Sequence, residues 1–257
     1  MSVSAGADRV RLELRGPTAW IVLDAAERHN SLEAADVEAF RAHLERVDAT
    51  ESVRVLVVTG KGAETFCAGA SLRQMESGEM SGERFETLTD RLAAVRVPTI
   101  CALNGSVYGG GAEVALCCDF RIGVTGSRLV VPVAKLGLCY PVGGMQRYVR
   151  RLGFTVAQRL LLSGEEMGAD EMLRVGYLTA LVERDALQDT AEGLARRIAD
   201  QAPLATTAMK RILGEISAGS LDIERARSLI AEVAASADAR EGIAAKRGKR
   251  QPEFEGR

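Results

Sequence analysis

"NGSVYGGGAEVALCCDF", residues 104–120, decides how this chain is read. Three glycines, 109 to 111, run directly into an apolar segment, and Glu113 follows two residues later. A carboxylate in such surroundings is costly unless it is paired or put to use. Three roles fit the glycines. They can cradle a phosphate at a helix start; they can let a helix and a strand pack closely; or they can open the first N–H groups of a helix to a ligand oxygen that is gaining negative charge. The phosphate reading lacks support, because neither G-x-x-x-x-G-K-[ST] nor a strand followed by G-x-G-x-x-G occurs. The third reading requires a second donor on another loop. "TFCAGASL" (65–72) offers one: it follows an apolar strand and carries the small triplet Ala68-Gly69-Ala70.

Outward from these loops the apolar pattern alternates between strand and helix. "RVRLELRG" (9–16) has period-two alternation, and "AWIVLD" (19–24) follows a Gly16-Pro17 turn. Residues 32–48 form a predicted helix with Ser31 as N-cap and with Val37, Phe40, Leu44 and Val47 at helical spacing. "VRVLVVTG" (53–60) is a nearly continuous apolar run, the pattern of a strand buried on both faces. "TICALNG" (99–105) and "FRIGV" (120–124) are further strands, on either side of the helix that the glycines open. From Ala186 the sequence is helical throughout, as in "LATTAMKRILGEI" and "IERARSLIAEVAAS". The pattern is that of a mixed α/β core with a helical C-terminal appendage.

Composition excludes several classes of function. At 257 residues and 47% hydrophobic, the chain can bury a substantial core. A net charge of −2 with 4% aromatic residues argues against nucleic acid as a partner. From Arg240 to Arg257 six Lys/Arg face three Glu, a mildly basic end able to meet phosphates or simply to be solvated. The cysteines, 67, 101, 117, 118 and 139, are odd in number and form no C-x-x-C, so neither a metal site nor a disulfide framework is expected, and a reducing cytoplasm fits. Asp8, Arg9, Arg11 and Glu13 interrupt the N-terminal apolar residues, unlike a secretory leader, and no apolar run approaches the ~18 residues of a membrane span. A Ser-His-Asp hydrolase is disfavoured: there is no G-x-S-x-G, and the two histidines are His29 and His43, the latter expected on the exposed side of its helix.

The chain resembles the crotonase (enoyl-CoA hydratase/isomerase) superfamily over nearly its whole length. "ERHNSL" (27–32), "TGKGAETFCAGASL" (59–72), "ALNGSVYGGGAEVALCCDFRI" (102–122), "PVAKLGLCYPVGGMQRYVRRLG" (132–153), "ADEMLRVGYLTALV" (169–182) and "EGIAAKRGKRQPEF" (241–254) carry the likeness, in order. It implies an α/β fold: a spiral of ββα units, residues 1–195, with an acyl-CoA site, and a helical C-terminal region, 196–257, that builds a homotrimer or a dimer of trimers. It also implies that the N–H groups of Ala70 and Gly110 form an oxyanion hole, with Glu113 as a catalytic carboxylate. Coenzyme A would enter as part of an acyl-CoA thioester substrate, with no permanently bound cofactor and no metal. Ala68, Ser71 and Leu72 would meet its adenine end, Arg28 its phosphates, and Lys249 would reach a neighbouring subunit's CoA; His29 would flank the entrance. Ser71 replaces an aspartate usual in the family, and Lys246 stands where an aromatic residue is usual.

One departure bears on the reaction. The hydratases carry a second glutamate in a Gln-Pro-Glu segment; "VVPVAKLG" (130–137) places Val133 there. Hydration needs a water activated and a proton delivered to Cα, tasks that two carboxylates share in the family, and the isomerases commonly keep that carboxylate as well. Tyr140, in "LGLCYPVGG", stands where the methylmalonyl-CoA decarboxylase branch carries a tyrosine. The histidine that this branch shows in its first oxyanion loop is missing from "FCAGASL". The resemblance therefore leaves three alternatives: an atypical hydratase, a decarboxylase, or a weakly active acyl-CoA-binding member of the family.

Overall fold

The computed structural model describes residues 9–257. The N-terminal leader reading falls partly on residues 1–8, outside the described residues. Strands β1 (Val10–Arg15) and β2 (Thr18–Leu23) form an antiparallel hairpin, and α1 (Ala34–Ala49) follows. The chain then repeats one motif. β3 (Val55–Gly60) leads through β4 (Thr65–Cys67) to α2 (Leu72–Ser77) and α3 (Gly82–Ala93). β5 (Thr99–Ala102) leads through β6 (Ser106–Tyr108) to α4 (Gly110–Cys117). β7 (Phe120–Val124) leads through β8 (Arg128–Val130) to α5 (Val142–Leu152) and α6 (Phe154–Gln158). β9 (Met167–Gly168), α7 (Ala169–Arg174) and β10 (Ala180–Val182) complete the spiral, and α8 (Leu187–Ala199), α9 (Pro203–Ala218), α10 (Ile223–Ala235) and α11 (Ala237–Gly248) end the chain.

After the β1–β2 hairpin, which lies wholly in the first sheet, each turn of the spiral gives one strand to each of two sheets. The first sheet has the order β1-β2-β3-β5-β7-β10, parallel from β2 onward; the second has the order β4-β6-β8-β9. The continuous apolar run in β3 now has its reason. Leu56 and Val58 point into the main core with Phe40, Phe66 and Leu88, while Val55 and Val57 point to the opposite face. There, Leu187, Ala191, Ala195 and Ala199 of α8 cover Trp20, Ile100 and Val124. Both faces of the sheet are dry, so the strand cannot alternate with polar residues.

The predicted start of α1 requires correction. Leu32 is extended, not helical: its N–H donates to the Gly69 carbonyl and its own carbonyl accepts from Ser71, both at 2.8 Å. This bridge between Leu32 and Ala70 delays the helix to Ala34. Glu33 is the N-cap, its N–H donating to Asp36 at 2.9 Å, a capping-box half that replaces the expected Ser31 cap. His43 is also placed differently. It is half-buried, and its Nε2 lies 2.9 Å from the Val10 carbonyl of β1.

Two buried asparagines hold the loop between β3 and β4. Asn30 Oδ1 accepts from Ala25 N–H at 3.0 Å, and its Nδ2 donates to the Lys61 and Thr65 carbonyls at 2.9 Å each. Asn104 Oδ1 accepts from Gly60 N–H at 3.0 Å, and its Nδ2 donates to Gly62 O at 2.9 Å and Thr65 O at 3.2 Å. An Asn104→Ala chain should lose about 1–3 kcal/mol of unfolding free energy, the range for buried groups left unpaired. Chemical denaturation at equilibrium checks this, and an unchanged midpoint would show that water replaces the amide.

Candidate active site

The two glycine-bearing loops meet in space. A Cβ built on Gly69, whose φ is +83°, would lie 2.6 Å from Gly110 N and 3.0 Å from Gly111 N. A Cβ on Gly111 would overlap the Cys67 carbonyl, and one on Gly110 would lie 2.6 Å from the Phe85 ring. Gly109, with φ 50° and ψ −121°, occupies backbone space that side chains disfavour. The glycines therefore serve close approach between β4, α3 and α4, the packing role, and they also bare the N-terminus of α4. Gly110 is the first residue of that helix, so its N–H has no partner within it. Among the described residues no group accepts a hydrogen bond from Ala70 or Gly110 N–H, whereas Ala68 N–H is spent on the His29 carbonyl and Ser71 N–H on Leu32.

Glu113 lies in the first turn of α4 and is 2% exposed. Arg147 of α5 pairs with its Oε1 and reaches Asp90 of α3 at 2.8 Å with the other nitrogen. Oε2 lies at the first turn of α5: a Cβ on Gly144 would be 2.9 Å from it and would collide with the Tyr140 ring. Burial drives the Glu113 carboxyl above its ordinary value, against the opposing pull of Arg147 and of the Tyr140 and Thr89 hydroxyls; Glu86 adds to the rise. Tyr140 is buried, its ring edge-on to Tyr148 with centroids 5.5 Å apart and its hydroxyl 3.4 Å from the Gly109 carbonyl. Burial, with Tyr148 and Glu113 nearby, keeps it a phenol.

The remaining predicted residues fall in three places. Ala68, Ala70, Ser71 and Leu72 line one continuous edge, with Leu72 largely exposed at the start of α2. Arg28 is nearby in sequence to that edge's partner Leu32, but it is engaged: its Nη1 lies 2.8 Å from Glu33, which also binds Arg9 and Arg73. Lys249 stands at the exposed C-terminal end of α11, a helix that packs on α10. Val133 is half-buried at the edge of the main core, at the start of a short 3-10 turn. Cys67 is buried, and burial pushes its thiol up to about 12, as suits a packing residue. The sequence reading missed Arg147, Phe85 and Tyr148. Arg147 was visible as a cation in "GGMQRYVRR", but only the packing of α5 on α4 singles it out from Arg150 and Arg151. A cavity of about 840 Å³ lies on the far side of α4 and α5, walled by Arg147, Arg150, Leu116, Met209 and Leu213, away from the donor loops.

The two-sheet ββα spiral closed by a helical C-terminal region defines the class of fold. The chain belongs to the enoyl-CoA hydratase/isomerase family, whose sequence model matches residues 15–257. It is 34% identical over 261 residues to carnitinyl-CoA dehydratase of Proteus mirabilis, covering 96% of this chain and 98% of that one. It is 33% identical to 2,3-dehydroadipyl-CoA hydratase of Escherichia coli, covering 92% and 94%. Among solved structures, the enoyl-CoA hydratase of Bacillus anthracis superposes with a TM-score of 0.88 at 27% identity, over 97% of this chain and 100% of that one. The chain is thus an acyl-CoA enzyme of this family.

Because the folded chain holds the Glu113 proton above the ordinary 4.5, this group's contribution to stability is complete below that pH and is lost as pH rises through the folded value. Glu113→Gln removes that dependence. Apart from a constant offset from the unpaired Arg147, the difference in denaturation midpoint should move in the variant's favour as pH climbs above 4.5. Parallel curves for the two proteins would show that Glu113 does not titrate in this way.

Proposed function

We propose that this chain stabilises the enolate of an acyl-CoA thioester, with the thioester oxygen accepting from Ala70 and Gly110 N–H and with Glu113 moving the proton. The observation that carries the reading is the pair of unspent N–H groups at the Gly69–Gly110 junction, with a buried carboxylate within one helical turn. Such donors act where charge develops and need no reorganisation at the moment of reaction. The relatives named above are a dehydratase and a hydratase of CoA thioesters, which supports addition or loss of water. With Val133 in place of the second glutamate, Glu113 carries out both proton steps. It takes a proton from water as the oxygen bonds to Cβ, and returns it to Cα as the enolate collapses. Ala68, Ser71, Leu72 and Arg28 form the nearby rim for CoA.

A second reading rests on Tyr140, a buried phenol within reach of Glu113. In a decarboxylase the bond from Cα to the carboxylate breaks, its electron pair enters the enolate, CO₂ departs, and Tyr140 protonates Cα. For assembly we propose a homotrimer or a dimer of trimers built by residues 196–257, where Met209, Leu213, Ile216, Ile230 and Ile243 are exposed. Lys249 would then meet a neighbour's CoA. The unpaired thiols suit a reducing cytoplasm.

Crotonyl-CoA and methylmalonyl-CoA assayed against four proteins separate the readings. For the hydratase, wild-type turnover should fall short of a two-carboxylate enzyme by about 10²–10⁴, and Val133→Glu should raise it. For the decarboxylase, Val133→Glu should not help, and Tyr140→Phe should cost more than Glu113→Gln. For either reaction, Gly110→Pro removes a donor and should cost at least about 10²–10³ in kcat. Full activity in a folded Gly110→Pro protein excludes the oxyanion assignment.

A further inference from the structure

Glu113 is not held by its own helix. Its Oε1 pairs with Arg147, which lies one turn past the start of α5, and Arg147 is in turn tied to Asp90 on α3. Exposure rises along this chain, from Glu113 at 2% through Arg147 at 12% to Asp90 at 62%. Such an arrangement clamps one carboxylate oxygen from behind. The other, Oε2, lies 2.9 Å from where a Cβ on Gly144 would sit, against the Tyr140 ring, and the Tyr140 hydroxyl lies 3.4 Å from the Gly109 carbonyl. A planar guanidinium reaches two acids at fixed angles, which a lysine cannot do.

We propose that Arg147 is a positioning residue for Glu113, fixing Oε1 so that Oε2 alone faces the reacting atoms and keeping the carboxylate charged between turnovers. The role in turnover rests on the enolate reading above; the effect on Glu113 itself does not. The groups that face Glu113 come from every element packed around it: Arg147 and Tyr148 from α5, Thr89 and Glu86 from α3, Tyr140 from the loop before α5, and Cys117 one turn on in α4. Arg147 is the cation among them. Burial and Glu86 both favour the protonated carboxyl, so removing Arg147 leaves those influences opposed only by hydroxyls.

Two measurements test this on the full chain. In the first, carbon-13 NMR of glutamate side chains follows the Glu113 carboxyl, assigned by its loss in Glu113→Gln, in wild type, Arg147→Lys and Arg147→Met. Removing a nearby opposite charge raises a carboxyl by about 1–3 pH units, so the Met variant should titrate that much higher and the Lys variant close to wild type. In the second, the acidic limb of kcat/KM should move upward by the same amount in Arg147→Met. Arg147→Lys should keep the wild-type limb but lose kcat, because charge is restored and orientation is not. If the Met variant does not fold, the Lys variant alone decides, by an unmoved limb with a lowered kcat. An unshifted Glu113 titration in Arg147→Met, or a Lys variant with full kcat, overturns the proposal. A shifted titration in a protein that turns over none of the acyl-CoA substrates supports the clamp and overturns the reaction reading instead.

Discussion

Two loops from successive turns of the spiral touch with no side chain between them. Gly69 fits against Gly110 and Gly111 against the Cys67 carbonyl, and neither contact tolerates a Cβ. The rest of the site follows from that approach. It brings the chain at Gly69 against the Gly110 N–H, starts α4 at the junction, and so delivers Glu113 into the first turn of that helix. It also requires the β3–β4 loop to keep its shape, which is the work of Asn30, from the loop before α1, and Asn104, just past β5. Leu32 is drawn into the same junction by its bridge to Ala70, so even the start of α1 is set by the meeting of the loops.

The electrostatics are arranged in layers behind this junction. The N–H groups of Ala70 and Gly110, which carry no titratable charge, have no acceptor among the described residues. The Glu113 carboxylate is buried one turn into α4, and its counter-ion Arg147 comes from α5 and is tied in turn to the exposed Asp90 of α3. The two tyrosines are buried beside Glu113, and burial pushes both hydroxyls above the ordinary phenol value.

How much of this was readable in the sequence depended on whether the signal was local. The strands at 53–60 and 99–105, the helix opened by the glycines and the helical C-terminal region announce themselves through period and composition. Ser31 misled because it has the chemistry of a cap, while the bridge that keeps Leu32 extended is made with Ala70, far along the chain. His43 misled in the same way: the helical pattern put it outside, and β1 lies over it. Arg147 could not be chosen from among three nearby arginines without knowing which face of α5 meets α4. The short strands β4, β6 and β8 are three residues each, too short for any periodicity, although they make up most of the second sheet.

The covering of the first sheet by α8 has a consequence for synthesis. Trp20, Val55, Val57, Ile100 and Val124 all leave the ribosome well before Leu187–Ala199, the segment that shields them. During elongation the nascent spiral therefore presents one finished interior and one bare apolar wall. A chain released before that segment emerges would have a sheet it cannot close, and such surfaces associate with one another. The second face of this sheet can therefore be closed only once residues 187–199 have been made.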